Sequence, residues 1–342
     1  MRLRRSDPHG PGWHRRARGR GFGYTDADGA RLDAASVERV KALAIPPAWR
    51  DVWVCPHPNG HIQAVGTDSA GRRQYLYHER WRQERDEEKH ERVLDLAPVL
   101  PGFRAEVARE LDGRGRSRRR VLAVALAVLD QGVFRVGGET YAADNGTHGV
   151  ATLLCSHVGV RGSTVDFCYP AKHGIQFTTE VEDAALARAV KALLRGGAGS
   201  GAGSGSGSGS GERLLVDDGG YEIGSDDINE RFKELVGEEF SVKDLRTWHA
   251  TVLAAAAFAR EFAREGAPGS KSAAKRVEAG VVREVSEHLG NTPAVARKSY
   301  VDPRVVELWR SGVVIKPRSA DRETVERAVV RMLRVKGKRG RG

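Results

Sequence analysis

Cysteine is scarce in this chain of 342 residues: Cys55, Cys155 and Cys168 stand alone, in no CxxC spacing. Such a set argues against a disulfide framework and against a zinc site, and it indicates a reducing compartment. No apolar run approaches the roughly 18 residues that a membrane span needs, and no apolar signal segment follows the N-terminal arginines. A GxxxxGK[ST] phosphate loop is also missing. We therefore expect a cytoplasmic protein that needs no metal, cofactor or ATP.

Acidic residues are fewer than basic ones, and the formal net charge is +11. The basic residues are clustered: seven Arg and one Asp lie in residues 1–20, five Arg lie in residues 114–120, and residues 331–342 hold six basic residues and no acid. The remainder of the chain carries a net negative charge. Clustered cations on such a chain indicate a polyanionic partner, because each neutralised phosphate releases condensed counterions. Solvated basic tails are the alternative interpretation.

Short segments with strand character dominate the first part of the chain. Residues 22–29 predict a hairpin that turns at Asp28-Gly29, and Ser36 to Leu43 predict a short amphipathic helix. Three further segments predict strands joined by tight turns: Val52–Cys55, His61–Val65 and Gly71–His78. Residues 1 to about 80 are therefore predicted to form a small antiparallel β domain.

Helical patterns dominate from Glu79 onward. Longer helices are predicted at Val121–Leu129, Ser225–Leu235, Ser241 to about Arg264, and Ser272–Leu289. Thr292-Pro293 and Asp302-Pro303 each place a capping residue before proline at the first helical position, which predicts two short helices near the C-terminus. Residues 81–330 are thus predicted to form a mainly helical domain, and residues 331–342 a basic tail.

A β interruption is expected inside this helical region. Residues 151–154, 164–169 and 175–181 alternate as strands, and Pro170 to Gly174 form the last turn, so that Lys172 lies at a hairpin tip. Further along, residues 196–211 contain only Gly, Ala and Ser. These residues cannot form an apolar core and are predicted to form a flexible connector within the second domain.

Several ordered motifs carry a family resemblance. They are Phe134-Arg-Val-Gly-Gly138, Tyr141 to Gly149, Lys243-Asp-Leu-Arg-Thr-Trp248 and the run from Leu289 to Val301. Together they resemble the bacterial, poxvirus-like branch of the type IB DNA topoisomerases. The N-terminal segments 44–49, 60–66 and 71–75 resemble the DNA-clamping β domain of that family. The resemblance implies an α+β fold, in which a small antiparallel β domain precedes a mainly helical catalytic domain of the topoisomerase IB and tyrosine recombinase type with a small β-hairpin sheet.

The same resemblance implies a function and a set of catalytic residues. It implies an enzyme that relaxes double-stranded DNA, with Tyr300 as the nucleophile, Arg135 and Arg246 as phosphate ligands, Lys172 as the general acid and Asn291 as a third phosphate contact. These residue types suit the chemistry, because two permanently charged bidentate donors can stabilise the charge of the transferring phosphoryl group without a metal. The departing 5′-oxygen needs a proton, which a lysine can supply.

The sequence departs from the family pattern at two of these positions. Asn291 stands where the poxvirus enzymes have His, which removes a positive charge from that contact. Ala171 stands where the family usually has Gly before the lysine, and the neighbouring His173 is an alternative to Lys172 as the acid.

Polar side chains of the β domain match family positions that touch DNA: Gln63, Arg72, Arg73, Gln74 and Tyr75. Arginine and glutamine suit both base edges and phosphates. An ordinary polar sheet face is the alternative. The run from Arg114 to Arg120 is interpreted as a phosphate-tracking hinge between the domains. The expected molecule is a monomer that clamps around the duplex and associates with the nucleoid.

Two other functions remain open at this point. A tyrosine recombinase shares the chemistry, but Lys243-Asp-Leu-Arg246 lacks the His-x-x-Arg box that recombinases usually carry. A noncatalytic DNA-binding protein, acting through its basic tails, is the second alternative. Relaxation of a supercoiled plasmid without Mg²⁺ or ATP distinguishes the topoisomerase from both.

Overall fold

The computed structural model describes residues 2–19, 21–139, 142, 146–197 and 212–337. Most of the predicted Gly/Ala/Ser connector, Tyr141 and the last five residues of the chain lie outside the described residues. The chain divides into two compact units, Met1–His90 and Glu91–Gly342. Each unit is described by itself.

The N-terminal unit is built on one antiparallel sheet with the strand order β2-β1-β3-β4-β5. The strands are β1 (Trp13–Arg18), β2 (Gly21–Thr25), β3 (Arg50–Val54), β4 (Ile62–Thr67) and β5 (Arg73–Tyr77). The three strands expected between residues 52 and 78 are thereby confirmed. Strand β1 was not predicted, because its arginines conceal the alternation between inward and outward side chains that marks a strand.

Helix α1 (Ala34–Ala42) covers this sheet and confirms the helix expected near Ser36. Its buried Val40 packs with Val52, Val54 and Ala64 in a small apolar core. The turn expected at Asp28-Gly29 is also present: the Gly29 amide donates to the Asp26 carbonyl over 3.2 Å. Gly29 has φ +86°, a conformation that glycine adopts without strain.

The second unit is mainly helical around one apolar core, and a long helix, α2, leads into it from the first unit. The helices are α2 (Glu79–Leu96), α3 (Leu100–Leu111), α4 (Arg118–Leu129), α5 (Ala184–Gly197), α6 (Ser225–Val236), α7 (Val242–Glu265), α8 (Lys271–Leu289), α9 (Pro293–Ser299), α10 (Pro303–Arg310) and α11 (Arg322–Gly337). The N-terminal sheet, the helical core and a small second sheet confirm the α+β fold class.

Local capping chemistry sets the ends of the helices that later carry the site. Ser241 is the N-cap of α7, and the backbone at Gly290 adopts the left-handed conformation (φ +58°, ψ +48°) that ends α8. The Thr292 hydroxyl accepts from the Val295 amide over 3.3 Å, and the Asp302 carboxylate accepts from the Arg304 amide over 2.9 Å. Both predicted short helices therefore begin where their caps indicate.

The small sheet has the order β6-β7-β8, with β6 (Val158–Arg161), β7 (Thr164–Pro170) and β8 (Gln176–Glu182). The prediction of a strand at residues 151–154 was wrong. This segment begins with a 3₁₀ turn at Val150–Thr152. The amides of Val150 and Ala151 donate to the carbonyls of Arg135 and Val136, over 2.9 and 2.7 Å, which binds the segment to the neighbouring loop instead of to a sheet.

Two expectations about basic segments are corrected. The run Arg114–Arg120 covers the end of the loop after α3 and the first residues of α4, inside the second unit. Its Arg120 is buried and donates to the carbonyls of Leu111 and Gly115. The segment predicted to be a tail from residue 331 is helical as far as residue 337, because Leu333 is buried in the core. Among the described residues, no helix is both long and apolar enough to cross a membrane.

Candidate active site

Arg246 lies near the start of α7 and is only 5% exposed. Its Nη1 atom donates to three successive backbone carbonyls, those of Gly132 (3.1 Å), Val133 (2.6 Å) and Phe134 (3.3 Å). Its Nη2 atom donates to the carbonyl of Leu289. These acceptors come from two distant parts of the chain, so Arg246 joins the loop after α4 to the C-terminal end of α8.

Glycine is required where this loop passes α7. Gly132 has φ +81°, and a Cβ atom there would lie 2.6 Å from Cβ and Cγ of His249, one turn after Arg246. Neither the backbone conformation nor the space would accept another residue without a shift. The close approach brings the three carbonyls within reach of the guanidinium.

Arg135 follows these carbonyls directly and is half-buried. Its Nη2 atom donates to the Gly290 carbonyl over 2.8 Å and to Oδ1 of Asn291 over 2.6 Å. The carbonyl end of a helix carries partial negative charge, and both guanidiniums bind at the end of α8. The structure therefore brings together Arg135, Arg246 and Asn291, which the sequence analysis selected from separate motifs.

The charge of this pair is not neutralised by acidic residues. Within the described ranges, neither Arg135 nor Arg246 forms an ion pair with a carboxylate. Burial and, to a smaller extent, the neighbouring charge of Arg135 lower the pKa of Arg246 to about 10, although Tyr300 and Tyr169 act in the opposite direction. Nδ2 of Asn291 and Nε of Arg246 are buried and have no hydrogen-bond partner among the residues described. Positive charge and free donors thus meet at one place, which suits an anion.

Tyr300 caps the C-terminal end of the short helix α9, and its ring is half-buried. The guanidinium carbon of Arg246 lies 5.4 Å from the centre of this ring. The hydroxyl of Thr251, on α7, donates to the Tyr300 carbonyl over 3.3 Å and accepts from the Asp302 amide over 3.2 Å. The backbone that follows Tyr300, from its carbonyl to the Asp302 amide, is therefore held by the helix that carries Arg246.

Lys172 lies in a single 3₁₀ turn, Lys172–Gly174, between β7 and β8, and its side chain is exposed. The predicted hairpin tip is confirmed. Three residues earlier, Tyr169 is buried; burial raises its pKa, and the charges of Arg135 and Arg246 oppose that rise. The end of β7 next to the hairpin tip is thus near the two arginines, while the exposed side chain of Lys172 forms no hydrogen bond with either of them.

In the N-terminal unit, successive candidate residues along β5 point to opposite faces of the sheet. Arg73, Tyr75 and Tyr77 are exposed on one face, where the two tyrosine rings stack with centroids 6.0 Å apart. Gln74 lies on the opposite face, and its amide donates to the Asp68 carboxylate over 2.9 Å. Arg72 pairs with the same carboxylate over 3.1 Å.

Gln63 differs from the expectation of a DNA-contacting side chain. It is 5% exposed, and its amide nitrogen donates to the Gly60 carbonyl over 2.7 Å and to the carbonyls of His57 and Pro58. Its Oε1 atom accepts from Arg39. This geometry makes Gln63 a structural support of the turn before β4.

Comparison with known proteins covers most of the chain. Residues 78–310 match the family described as the catalytic core of eukaryotic DNA topoisomerase I. The chain belongs to the type IB DNA topoisomerases. Residues 21–68 match the N-terminal domain of bacterial DNA topoisomerase IB. A DNA topoisomerase 1B from Acanthamoeba polyphaga mimivirus is 29% identical over 279 residues, which are 80% of each chain.

Membership in this family makes the protein an isomerase that acts on DNA. The matched range contains the two arginines, the hairpin lysine, the asparagine and the tyrosine. Sequence reasoning missed Thr251 and Tyr169, which lie near the candidate active site of this topoisomerase, and Tyr77, which lies beside Tyr75 in the N-terminal unit. Only Tyr77 had a usable signal, because it is two residues from Tyr75 and therefore shares its face of the strand.

Proposed function

We propose that this topoisomerase relaxes supercoiled duplex DNA by transient cleavage of one strand, with Tyr300 as the nucleophile. The observation that carries the proposal is the pair Arg135 and Arg246, held close to Tyr300 and unneutralised by any carboxylate in the described part of the chain. Two neighbouring guanidiniums without a counterion, of which that of Arg246 is buried, repel each other, and a phosphodiester would remove that cost.

The proposed reaction balances without an external energy source. The phenolic oxygen of Tyr300 forms a bond to phosphorus, and the bond from phosphorus to the 5′-oxygen breaks. The phenolic proton passes to solvent as the new bond forms. Lys172 donates a proton to the departing 5′-oxygen. The resulting 3′-phosphotyrosyl bond conserves the energy of the phosphodiester, so attack by the 5′-hydroxyl reverses every step after the DNA has rotated.

Arg135 and Arg246 would stabilise the charge on the nonbridging oxygens during both steps. Their guanidiniums are already oriented by the carbonyls of residues 132–134, 289 and 290, so little reorganisation is needed when the charge develops. Asn291 would add a neutral donor through its unpaired Nδ2 atom. Because it carries no charge, its contribution is expected to be smaller than that of a protonated histidine.

The N-terminal unit would hold the duplex through the exposed face of β5. Arg73 offers a charge for phosphate, and Tyr75 offers a ring that packs against sugar or base. Arg72 is more than half exposed and Gln74 is half-buried, and both are available if Asp68 releases them. We infer a monomer that clamps around the duplex in the nucleoid; Gln63 would act by supporting the fold of this unit.

Relaxation of a negatively supercoiled plasmid, without Mg²⁺ and ATP, tests the proposal. The wild type is expected to produce a ladder of relaxed topoisomers and a covalent adduct. Tyr300→Phe is expected to bind DNA but to give neither product. An adduct that persists in this variant would remove Tyr300 from the mechanism. Strand exchange between two sites would favour a recombinase, and a mobility shift alone would favour a noncatalytic binding protein.

A further inference from the structure

A group of charged side chains, in which both carboxylates are buried, joins the C-terminal helix α11 to the loop that carries Arg135. It contains two carboxylates, two guanidiniums and one imidazole: Arg104, Asp130, His249, Arg322 and Glu326. The side chains of Asp130 and Glu326 are 8% and 5% exposed. We call these five residues the C-terminal brace. Their charges balance when His249 is neutral.

The contacts within the C-terminal brace are short and directional. Arg104 binds both oxygens of Glu326, over 2.7 and 2.8 Å, and also reaches Asp130 over 2.8 Å. Arg322 Nη2 donates to Oδ1 of Asp130 over 2.8 Å and to the Asp130 backbone carbonyl over 2.6 Å. Burial raises the pKa of Glu326, but the hydrogen bond with Arg104 and the charges of Arg104, Arg322 and His249 together lower it by more, which favours the ionised carboxylate.

The position of Asp130 connects this group to the active site. Asp130 is the C-cap of α4, and the carbonyls of residues 132–134, which bind Arg246, follow at once. The ring of His249, a member of the C-terminal brace, packs against Gly132 in the same loop. Arg322 Nη2 lies 2.9 Å from Nε2 of this histidine. Arg322 on α11 thus binds Asp130 at the start of the loop directly, and it reaches Gly132 through His249.

Helix α11 lies outside the range that matches the catalytic core, which ends at residue 310. Its Val329 and Leu333 are nevertheless buried in the core of the second unit. Apolar packing alone would dock the helix, and it does not require the carboxylate of Glu326 to be buried at considerable desolvation cost. A functional role for the charged contacts explains their presence better than stability does.

We propose that Arg322 and Glu326 are positioning residues for DNA cleavage, which hold the loop of residues 130–135 so that Arg135 and Arg246 face the phosphate. This proposal rests on the function proposed above. Misplacement of a catalytic group by about 1 Å can slow a reaction by about a hundredfold. Loss of Arg322 should therefore reduce the rate of cleavage more than it reduces the affinity for DNA.

The test uses the full chain and a single-turnover cleavage assay on a DNA substrate in which the short fragment that carries the new 5′-hydroxyl diffuses away after cleavage. In this assay the amplitude reports the fraction of folded, competent enzyme, and the rate constant reports the cleavage step. Arg322→Ala is expected to lower the rate constant by about tenfold to a hundredfold. Its amplitude and its DNA affinity, measured in a Tyr300→Phe background, are expected to stay near those of the parent. Arg322→Lys should recover part of the rate.

Arg327→Ala is the matched control. Arg327 lies on the same helix, more than half exposed, and pairs only locally, with Glu323 over 2.8 Å and with Thr324. This variant is expected to cleave like the wild type. A double variant, Arg322→Ala with Arg246→Lys, should lose less than the product of the two single losses, because both changes act on the same loop.

Three results would overturn the proposal: a wild-type rate constant in Arg322→Ala, a loss confined to the amplitude, or strictly multiplicative losses in the double variant. Its failure is distinguishable from failure of the proposed function. If Tyr300→Phe and Arg246→Ala abolish cleavage while Arg322→Ala does not slow it, only the role of the C-terminal brace is refuted. If Tyr300→Phe still cleaves, both proposals fail.

Discussion

The hydroxyl of Thr251 connects the helix of Arg246 to the backbone around Tyr300, and its removal makes a sharp test of how the nucleophile is held. Thr251 is 2% exposed, and one oxygen serves as donor to the Tyr300 carbonyl and as acceptor from the Asp302 amide. Thr251→Val keeps the shape of the side chain and removes both hydrogen bonds. A helix as short as α9 is marginal by itself, so its end depends on such tertiary contacts.

The expected magnitude follows from these two contacts. Each hydrogen bond contributes about 1 kcal/mol net, so the variant should lose about 2 kcal/mol of unfolding free energy. The bonds are long, at 3.3 and 3.2 Å, which argues against a larger value. Freed backbone at Tyr300 should also let its ring drift from Arg246, and we expect cleavage to slow by about tenfold.

Urea unfolding and single-turnover cleavage measure the two effects separately. Thr247→Val is the matched control, since Thr247 lies one turn earlier on α7, is 1% exposed and donates only to the Lys243 carbonyl of its own helix. Thr251→Ser retains the hydroxyl and should restore most of the cleavage rate. The reasoning is refuted if Thr251→Val unfolds and cleaves like Thr247→Val.

Three further predictions concern the hairpin, the loop and acid stability. Lys172→Ala should slow cleavage of normal DNA but not of a substrate with a 5′-sulfur leaving group, which needs no proton; equal slowing on both would exclude Lys172 as the acid. Gly149→Ala should abolish plasmid relaxation, because the added Cβ would lie 2.7 Å from the Arg135 carbonyl oxygen. A Cβ at Gly138 would meet no atom within 4 Å, so Gly138→Ala should remain active in the same assay. Burial raises the pKa of Asp130, but contact with His249 and two guanidiniums lowers it by more, from 3.8 to about 2. Its stabilising contribution is therefore complete above about pH 4 and is lost as the pH falls towards 2. Over that range the unfolding free energy of Asp130→Asn should fall less than that of the wild type. An equal fall of the unfolding free energy in both proteins would contradict this prediction.

Much of the local structure could be predicted because its causes lie within a few residues. The N-caps Thr292 and Asp302 precede prolines, and Gly290 ends α8 in a left-handed conformation, so the borders of three helices near Tyr300 follow from short-range chemistry. A prediction was wrong where long-range contacts decided the structure of a segment. Residues 151–154 have strand-like alternation, yet the amides of Val150 and Ala151 bind the loop at Arg135.

Burial was harder to predict than element type. Gln63 and Arg120 looked like surface groups for DNA, but the fold surrounds both and uses their donors on backbone carbonyls. Helix α11 was assigned in part to a basic tail, because charge dominates its composition and only a few residues, among them Val329 and Leu333, bury it. Polar residues are buried when distant backbone groups need partners, and a sequence pattern does not contain that information.

The sequence by itself determined the residue types that are available for phosphoryl transfer, their order and the local elements that carry them. These are an arginine after a glycine turn, a lysine at a hairpin tip, an arginine near a helix start and a tyrosine at the end of a short helix. Only the tertiary structure decided that Arg135 and Arg246 meet at the C-terminal end of α8, that no acidic side chain in the described ranges neutralises them, and that Thr251 holds the backbone at Tyr300. The physical reason is that capping and strand alternation act over a few residues, whereas orientation and electrostatic environment arise from groups that folding brings together from distant parts of the chain.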